Sequence, residues 1–176
     1  GAVVWLAIDG ILLARGTEEA PIVFTAIADD SDGYDSNNSS IVSAEGAWKN
    51  IVFTGTGSSD SIVEYAHVRY GGQGENTCPY AYLGGPCMKY YGAVRIDSAD
   101  LKITHATLEN NLGIAIYTEG DANPTIESSI IRDTKEAIET PTTTIGGYGI
   151  SIGPDSDPTV TDNTYANNAE DMVYRE

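Results

Sequence analysis

Ile103-Thr104-His105-Ala106-Thr107-Leu108-Glu109-Asn110 is one of four copies of a single pattern in this chain of 176 residues. In each copy the first position is a β-branched aliphatic residue, the fourth is small or polar, and the sixth is large and mostly apolar. The other copies align with it without gaps and span 63–70, 126–133 and 160–167. Such recurrence indicates a repeat architecture, in which each unit buries its apolar face only against its neighbours.

A second short strand is predicted before each copy, because two apolar residues flank one that would point the other way. These strands are Ile51-Val52-Phe53, Val94-Arg95-Ile96, Ile114-Ala115-Ile116 and Ile150-Ser151-Ile152. After the last copy, Met172-Val173-Tyr174 looks like the start of a further turn. The copies begin 40, 23 and 34 residues apart (63 to 103, 103 to 126, 126 to 160). We assign the surplus length to insertions at about 27–46, 71–91 and 135–147.

The sequence therefore predicts an all-β parallel β-helix, a solenoid with loop insertions that forms one domain over residues 1–176. Equivalent residues of successive coils should stack about 4.8 Å apart. Two inward ladders are expected, one of Val63, Ile103, Ile126 and Val160, the other of Val68, Leu108, Ile131 and Tyr165. The outward Arg69, Glu109 and Arg132 alternate in sign, and as exposed cross-coil pairs they would contribute about 0–1 kcal/mol each. The pattern begins and stops within coils, so we expect a fragment of a longer chain.

Two segments resemble bacterial right-handed parallel β-helix (pectate-lyase-like) repeat surface proteins. The run Gly10-Ile11-Leu12-Leu13-Ala14-Arg15-Gly16-Thr17 continues through Pro21-Ile22-Val23-Phe24-Thr25-Ala26 and is similar to an opening coil of that family. Residues 61–72, which end in Val68-Arg69-Tyr70-Gly71-Gly72, match the next family segment. Ala26 and Lys49 stand where that family usually has Ser and Gly. The resemblance implies a right-handed coil but little about function, because such coils occur in adhesins, envelope proteins and polysaccharide enzymes alike.

Charge excludes some partners. The formal net charge is −17, with 26 acidic and 9 basic residues, so nucleic acid and anionic membranes are not expected to bind. No run approaches the roughly 20 apolar residues that a membrane-spanning helix needs.

Cys78 and Cys87 lie close together in sequence, which favours a disulfide in an oxidising compartment over a zinc site. An extracellular or cell-surface location is therefore expected.

The acidic insertion contains the best candidate metal site. Asp30, Asp32 and Asp35 surround Gly33, and oxygen ligands around a tight turn suit Ca²⁺. The register does not match an EF-hand, and a solvated acidic loop is the alternative. No cofactor is expected to be required. Asn37 and Asn38 begin overlapping glycosylation sequons.

Four tyrosines in or beside the cysteine loop, Tyr80, Tyr82, Tyr90 and Tyr91, form a candidate platform for a polysaccharide or protein. The alternative is that these rings cover the flank of the solenoid.

No catalytic residue is predicted. The outward residues of the first strands are Val52, Arg95, Ala115 and Ser151, and none is a carboxylate. Arg95 with Asp97 and Asp100 is the nearest approach to a lyase site. His67 and His105 fall near one another on adjacent coils, where Glu64 or Asp162 could pair with them in a proton or metal role, although solvated strand histidines are the simpler interpretation.

We thus expect a non-enzymatic structural or adhesive β-helix of a cell-surface or filament-forming protein. Its partners would be copies of itself, stacked end to end, or flanking coils. The alternative is a carbohydrate-binding or polysaccharide-lyase-like module.

Overall fold

The computed structural model describes residues 4–31, 38, 43–73, 92–140 and 143–174, with the backbone alone for 138–140 and 143–145. The described residues form strands that recur in sets of three, one set per coil. A 3₁₀ turn at Thr56–Ser58 follows the first strand of the second coil. The strands are β1 (Leu6–Ile8), β2 (Leu13–Arg15), β3 (Ile22–Phe24), β4 (Ile51–Thr54), β5 (Ile62–Glu64), β6 (Ala66–Arg69), β7 (Val94–Asp97), β8 (Lys102–Thr104), β9 (Thr107–Glu109), β10 (Ile114–Glu119), β11 (Thr125–Glu127), β12 (Ile130–Arg132), β13 (Glu136–Thr140), β14 (Thr143–Gly146), β15 (Tyr148–Ile152), β16 (Thr159–Thr161), β17 (Thr164–Ala166) and β18 (Glu170–Tyr174).

The strands assemble into three parallel sheets that run along the stack of coils. Sheet A has the order β1-β4-β7-β10-β15-β18, sheet B the order β2-β5-β8-β11-β16, and sheet C the order β3-β6-β9-β12-β17. Each strand pairs with the equivalent strand of the next coil. The chain is a parallel β-helix. The antiparallel hairpin β13–β14 lies within the third predicted insertion.

Both predicted inward ladders are confirmed. In sheet B, Ile103 pairs with Val63 on one side and with Ile126 on the other, and Ile126 pairs with Val160. In sheet C the corresponding column is Phe24, Val68, Leu108, Ile131 and Tyr165. The members in the middle coils are fully buried, because stacking removes each apolar side chain from water on both sides.

Left-handed backbone makes two sharp corners in each of the second to fifth coils. Between sheets B and C the corner residues are Tyr65, His105, Ser128 and Asp162, with φ between 45° and 55°. After sheet C they are Tyr70, Asn110, Asp133 and Asn167. Asparagine tolerates this conformation better than most residues, so Asn110 and Asn167 suit this turn.

Asparagine side chains also join one coil to the next. The side chain of Asn111 accepts a hydrogen bond from the Gly71 N–H at 2.9 Å and donates one to the Val68 carbonyl at 2.9 Å. Asn168 makes the same two bonds two coils further on, with Thr134 and Ile131. Each amide therefore satisfies a donor and an acceptor that the bend of the preceding coil leaves without a backbone partner.

The predicted alignment of the fourth coil in sheet A is wrong by two residues. Tyr117 pairs with Arg95, and Ile116 pairs with Val94, so Tyr117 takes the position expected for Ala115. Ala115 is fully buried. The strand is six residues long, and its alternation Ile114, Ile116, Thr118 fits either register.

In the described part of the chain, we find no helix with the length and apolar character that a membrane span requires.

Candidate functional site

One arginine and two carboxylates meet on the outer face of sheet A. The register places Glu119 beside Asp97, two residue pairs beyond Arg95 and Tyr117. The Arg95 guanidinium forms an ion pair with Glu119 and lies 3.6 Å from the Asp97 carboxylate. Glu119 was not predicted as a member of this cluster, because the predicted alignment placed Ala115 over Arg95. Asp100, which was predicted to lie near Arg95, accepts a hydrogen bond from the Asn123 N–H.

This cluster suits binding better than proton abstraction. A guanidinium donates hydrogen bonds and does not accept protons, and both carboxylates lie within ion-pair reach of this one. All three side chains are about a quarter to a third exposed. A hydroxyl or carboxylate of a ligand could therefore exchange into the network.

A groove of about 240 Å³ adjoins the cluster and is lined by Trp5, Lys49, Val52, Thr54 and Arg95 among others. The Lys49 ammonium lies 4.6 Å from the centre of the Trp5 ring, which is within cation–π range. The groove thus combines an exposed aromatic ring with two cations, an arrangement that can hold an acidic or a hydroxylated ligand.

The predicted charge ladder exists, but it is more buried than expected. Arg69 pairs with Glu109 and Glu109 with Arg132 along sheet C, and the corresponding N···O distances are 3.9 and 2.5 Å. The Arg69 side chain is only 8% exposed. Its burial reflects a further partner, Asp29, whose carboxylate lies 2.6 Å from Arg69 Nε.

Asp29 opens the acidic insertion but is buried against Arg69. Its side chain is 3% exposed and accepts hydrogen bonds from the hydroxyls of Thr25 and Ser31. Burial by itself would raise the pKa of Asp29, but the hydrogen bonds from Ser31 and Thr25, together with the Arg69 guanidinium, lower it below its ordinary value of 3.8. The first carboxylate of this insertion is therefore part of the structure of the column.

Most residues of the predicted loop sites lie outside the described residues. These are Tyr80, Tyr82, Tyr90, Tyr91, Cys78, Cys87, Asp32, Asp35 and Asn37. Of the remainder, Asn38 is exposed and Asp30 is partly buried. Among the described ranges, no three His, Cys, Asp or Glu side chains lie close enough together to hold a metal ion.

The two histidines of the chain line one groove at the corner between sheets B and C, together with Tyr65 and Glu18. The expected proximity of His67 and His105 is therefore confirmed. Neither Glu64 nor Asp162 lines this groove.

The comparison with protein families agrees with this geometry. Residues 92–175 match the family model described as "Right handed beta helix region". That match begins at the third coil and includes β18. No curated protein and no solved structure matches the chain.

Proposed function

We propose that this chain is a non-enzymatic structural β-helix of an extracellular or cell-surface protein, and that copies of it stack end to end. The observation that carries the proposal is the set of edge strands that the described part of the column presents at its two ends. Sheets B and C end in β2 and β3 on one side and in β16 and β17 on the other. Edge strands with available N–H and C=O groups are templates for further pairing.

The two ends differ, so association would be head to tail. At one end the exposed apolar residues include Ile11 and Leu13, and at the other Met172 and Tyr174. Unlike surfaces that bind each other generate an open filament when no rotation closes a ring. The net charge of −17 and the closely spaced cysteines support a location outside the cell.

The number of strands in each sheet defines how two stacked copies would join. Sheet A has six strands and the other two sheets have five each, so β18 already occupies the sixth level of sheet A. When β2 and β3 of a second copy pair with β16 and β17, β18 stands where β1 of that copy would lie. The short β1 is an edge strand with mostly exposed residues, so we expect β18 to displace it and pair with β4.

Leu13→Lys tests this interface. Leu13 is 58% exposed on β2, and Lys102 occupies the equivalent position two coils away, so the substitution is compatible with the fold. A charge on an edge strand disfavours pairing with a second chain. In sedimentation velocity, the sedimentation coefficient of the wild-type chain should rise with concentration. Leu13→Lys should need a higher concentration for the same rise, because lysine at this position weakens stacking without preventing it, as the paired Lys102 shows in an inner coil.

Ile130→Lys is the matched control, since Ile130 is an exposed apolar strand residue in an inner coil. It should associate as the wild type does. A sharply monomeric wild-type chain at high concentration would refute end-to-end stacking, as would equal effects of the two lysine variants.

The second candidate function is a carbohydrate-binding or polysaccharide-lyase-like module. The observation that favours it is the Arg95, Asp97 and Glu119 cluster beside the groove that contains Trp5. A glycan array, with a uronate-lyase absorbance assay run with and without Ca²⁺, distinguishes the two functions. If the lyase assay detects turnover and Arg95→Ala abolishes it, the polysaccharide-lyase-like module becomes the better supported function.

A further inference from the structure

The corner between sheets B and C holds an open groove of about 310 Å³, on a different face from the sheet A cluster. Its floor is one row of sheet C, in which His67, Thr107 and Ile130 lie side by side on successive coils. One wall consists of the corner residues Tyr65 and His105. The turn of the first coil that carries Glu18 lines one end of the groove. Its volume is at the lower end of the range for small-molecule sites.

Two stacked rings form the wall. The centres of the Tyr65 and His105 rings lie 4.8 Å apart, with 19° between their planes. Both residues have positive φ, which is uncommon for large side chains, and the same corner carries Ser128 and Asp162 on the next coils. The ring pair therefore gives these two coils an aromatic surface that the neighbouring coils do not have.

His67 contributes an imidazole ring to the floor of the groove. Its Nδ1 is inaccessible to solvent, so Nε2 is the ring nitrogen that a ligand could reach. A hydroxyl group can either donate to or accept from an imidazole nitrogen, so it can bond to Nε2 in either tautomer of His67.

The charge of the groove restricts the ligand. Among the residues that the structure describes, Glu18 is the one carboxylate that lines the groove, and no lysine or arginine does so. An anionic ligand would meet a like charge with no opposite charge to offset it, whereas hydroxyls can bond to Glu18, His67 and Thr107. We propose that this groove binds one or two rings of a neutral polysaccharide, which pack against Tyr65 and His105. The proposal is independent of end-to-end stacking.

Nuclear magnetic resonance tests the proposal directly, because the chain has two histidines and both line the groove. The imidazole signals of labelled protein are followed while cellotriose, maltotriose or mannotriose is added, with trigalacturonate as the anionic comparison. At least one neutral trisaccharide should shift both sets of histidine signals, in the presence or absence of EDTA. Trigalacturonate should leave them unchanged.

Two variants locate the binding. Tyr65→Asn and His105→Asn remove one ring each and keep a residue that tolerates left-handed backbone, so the corner should still form. Each should weaken binding about tenfold or more. Tyr174→Asn, at an exposed tyrosine on β18, should bind as the wild type does.

Several results would overturn the proposal. They are the absence of histidine shifts with every neutral trisaccharide, a preference for trigalacturonate, shifts that EDTA abolishes, and unchanged affinity in both ring variants with a retained fold.

Discussion

Replacement of Arg69 by alanine should lower the free energy of unfolding by about 3–5 kcal/mol. The Arg69 guanidinium lies 2.6 Å from a carboxylate oxygen of Asp29, and both side chains are more than nine-tenths buried. Without Arg69, the Asp29 carboxylate would stay buried without its main counter-charge. Breaking a buried ion pair from one side is costly for this reason, even when the intact pair contributes little net stability. Chemical denaturation monitored by circular dichroism measures the change.

Arg132→Ala is the matched control. Arg132 pairs with the same Glu109 carboxylate from the next coil, but its side chain is 47% exposed. Water can replace an exposed partner, so the expected loss is about 0–1 kcal/mol. Equal losses for the two arginine variants would contradict the buried-pair interpretation.

Asp29→Asn in the Arg69→Ala background should recover part of the lost stability, because it removes the buried charge.

The pH dependence of the free energy of unfolding follows from the lowered pKa of Asp29. A carboxyl group whose folded pKa is lowered contributes stability that is present above its unfolded pKa and is lost as the pH falls through the folded value. Asp29→Asn should therefore flatten the acid limb of the stability curve below about pH 4. An unchanged acid limb would show that Asp29 does not titrate in this way.

Asn111→Ala should lower the free energy of unfolding by about 2–4 kcal/mol. Asn111 is fully buried, and its amide bonds to the N–H of Gly71 and the carbonyl of Val68 in the preceding coil. Alanine would leave this donor and this acceptor buried without partners. The loss is read from the midpoint and slope of a urea unfolding curve.

The matched control for this prediction is Asn168→Ala. Asn168 makes the same two bonds two coils further on but is only partly buried, so water can replace its amide. The expected loss is about 0.5–1.5 kcal/mol. A loss at Asn168 equal to or larger than that at Asn111 would contradict the role assigned to burial.

The sequence predicts the ladders well because their periodicity is local. Ile103 and Ile126 each sit at the first position of an eight-residue copy, and only stacking can bury that position in every copy. The structure pairs them directly. The corner asparagines are predictable for a similar reason, since their backbone conformation restricts residue type.

The features that the sequence did not predict depend on contacts between distant residues. Asp29 and Arg69 are 40 positions apart, and nothing in either local pattern indicates that they meet in a buried pair. Glu119 was missed because Ile114, Ile116 and Thr118 alternate regularly and so allow two registers. The groove at Tyr65 and His105 requires a specific stacking of coils and a turn from the first coil, which no single repeat contains.

Successive coils run parallel and in register, and everything above depends on this arrangement. Its most direct test is a set of nuclear Overhauser contacts between β8 and β11 in isotopically labelled protein. The structure predicts backbone contacts that pair Lys102 with Thr125 and Thr104 with Glu127, together with methyl contacts between Ile103 and Ile126. Backbone contacts that pair Lys102 with Glu127 would mean antiparallel strands and would contradict the account, as would the absence of any contact between Ile103 and Ile126.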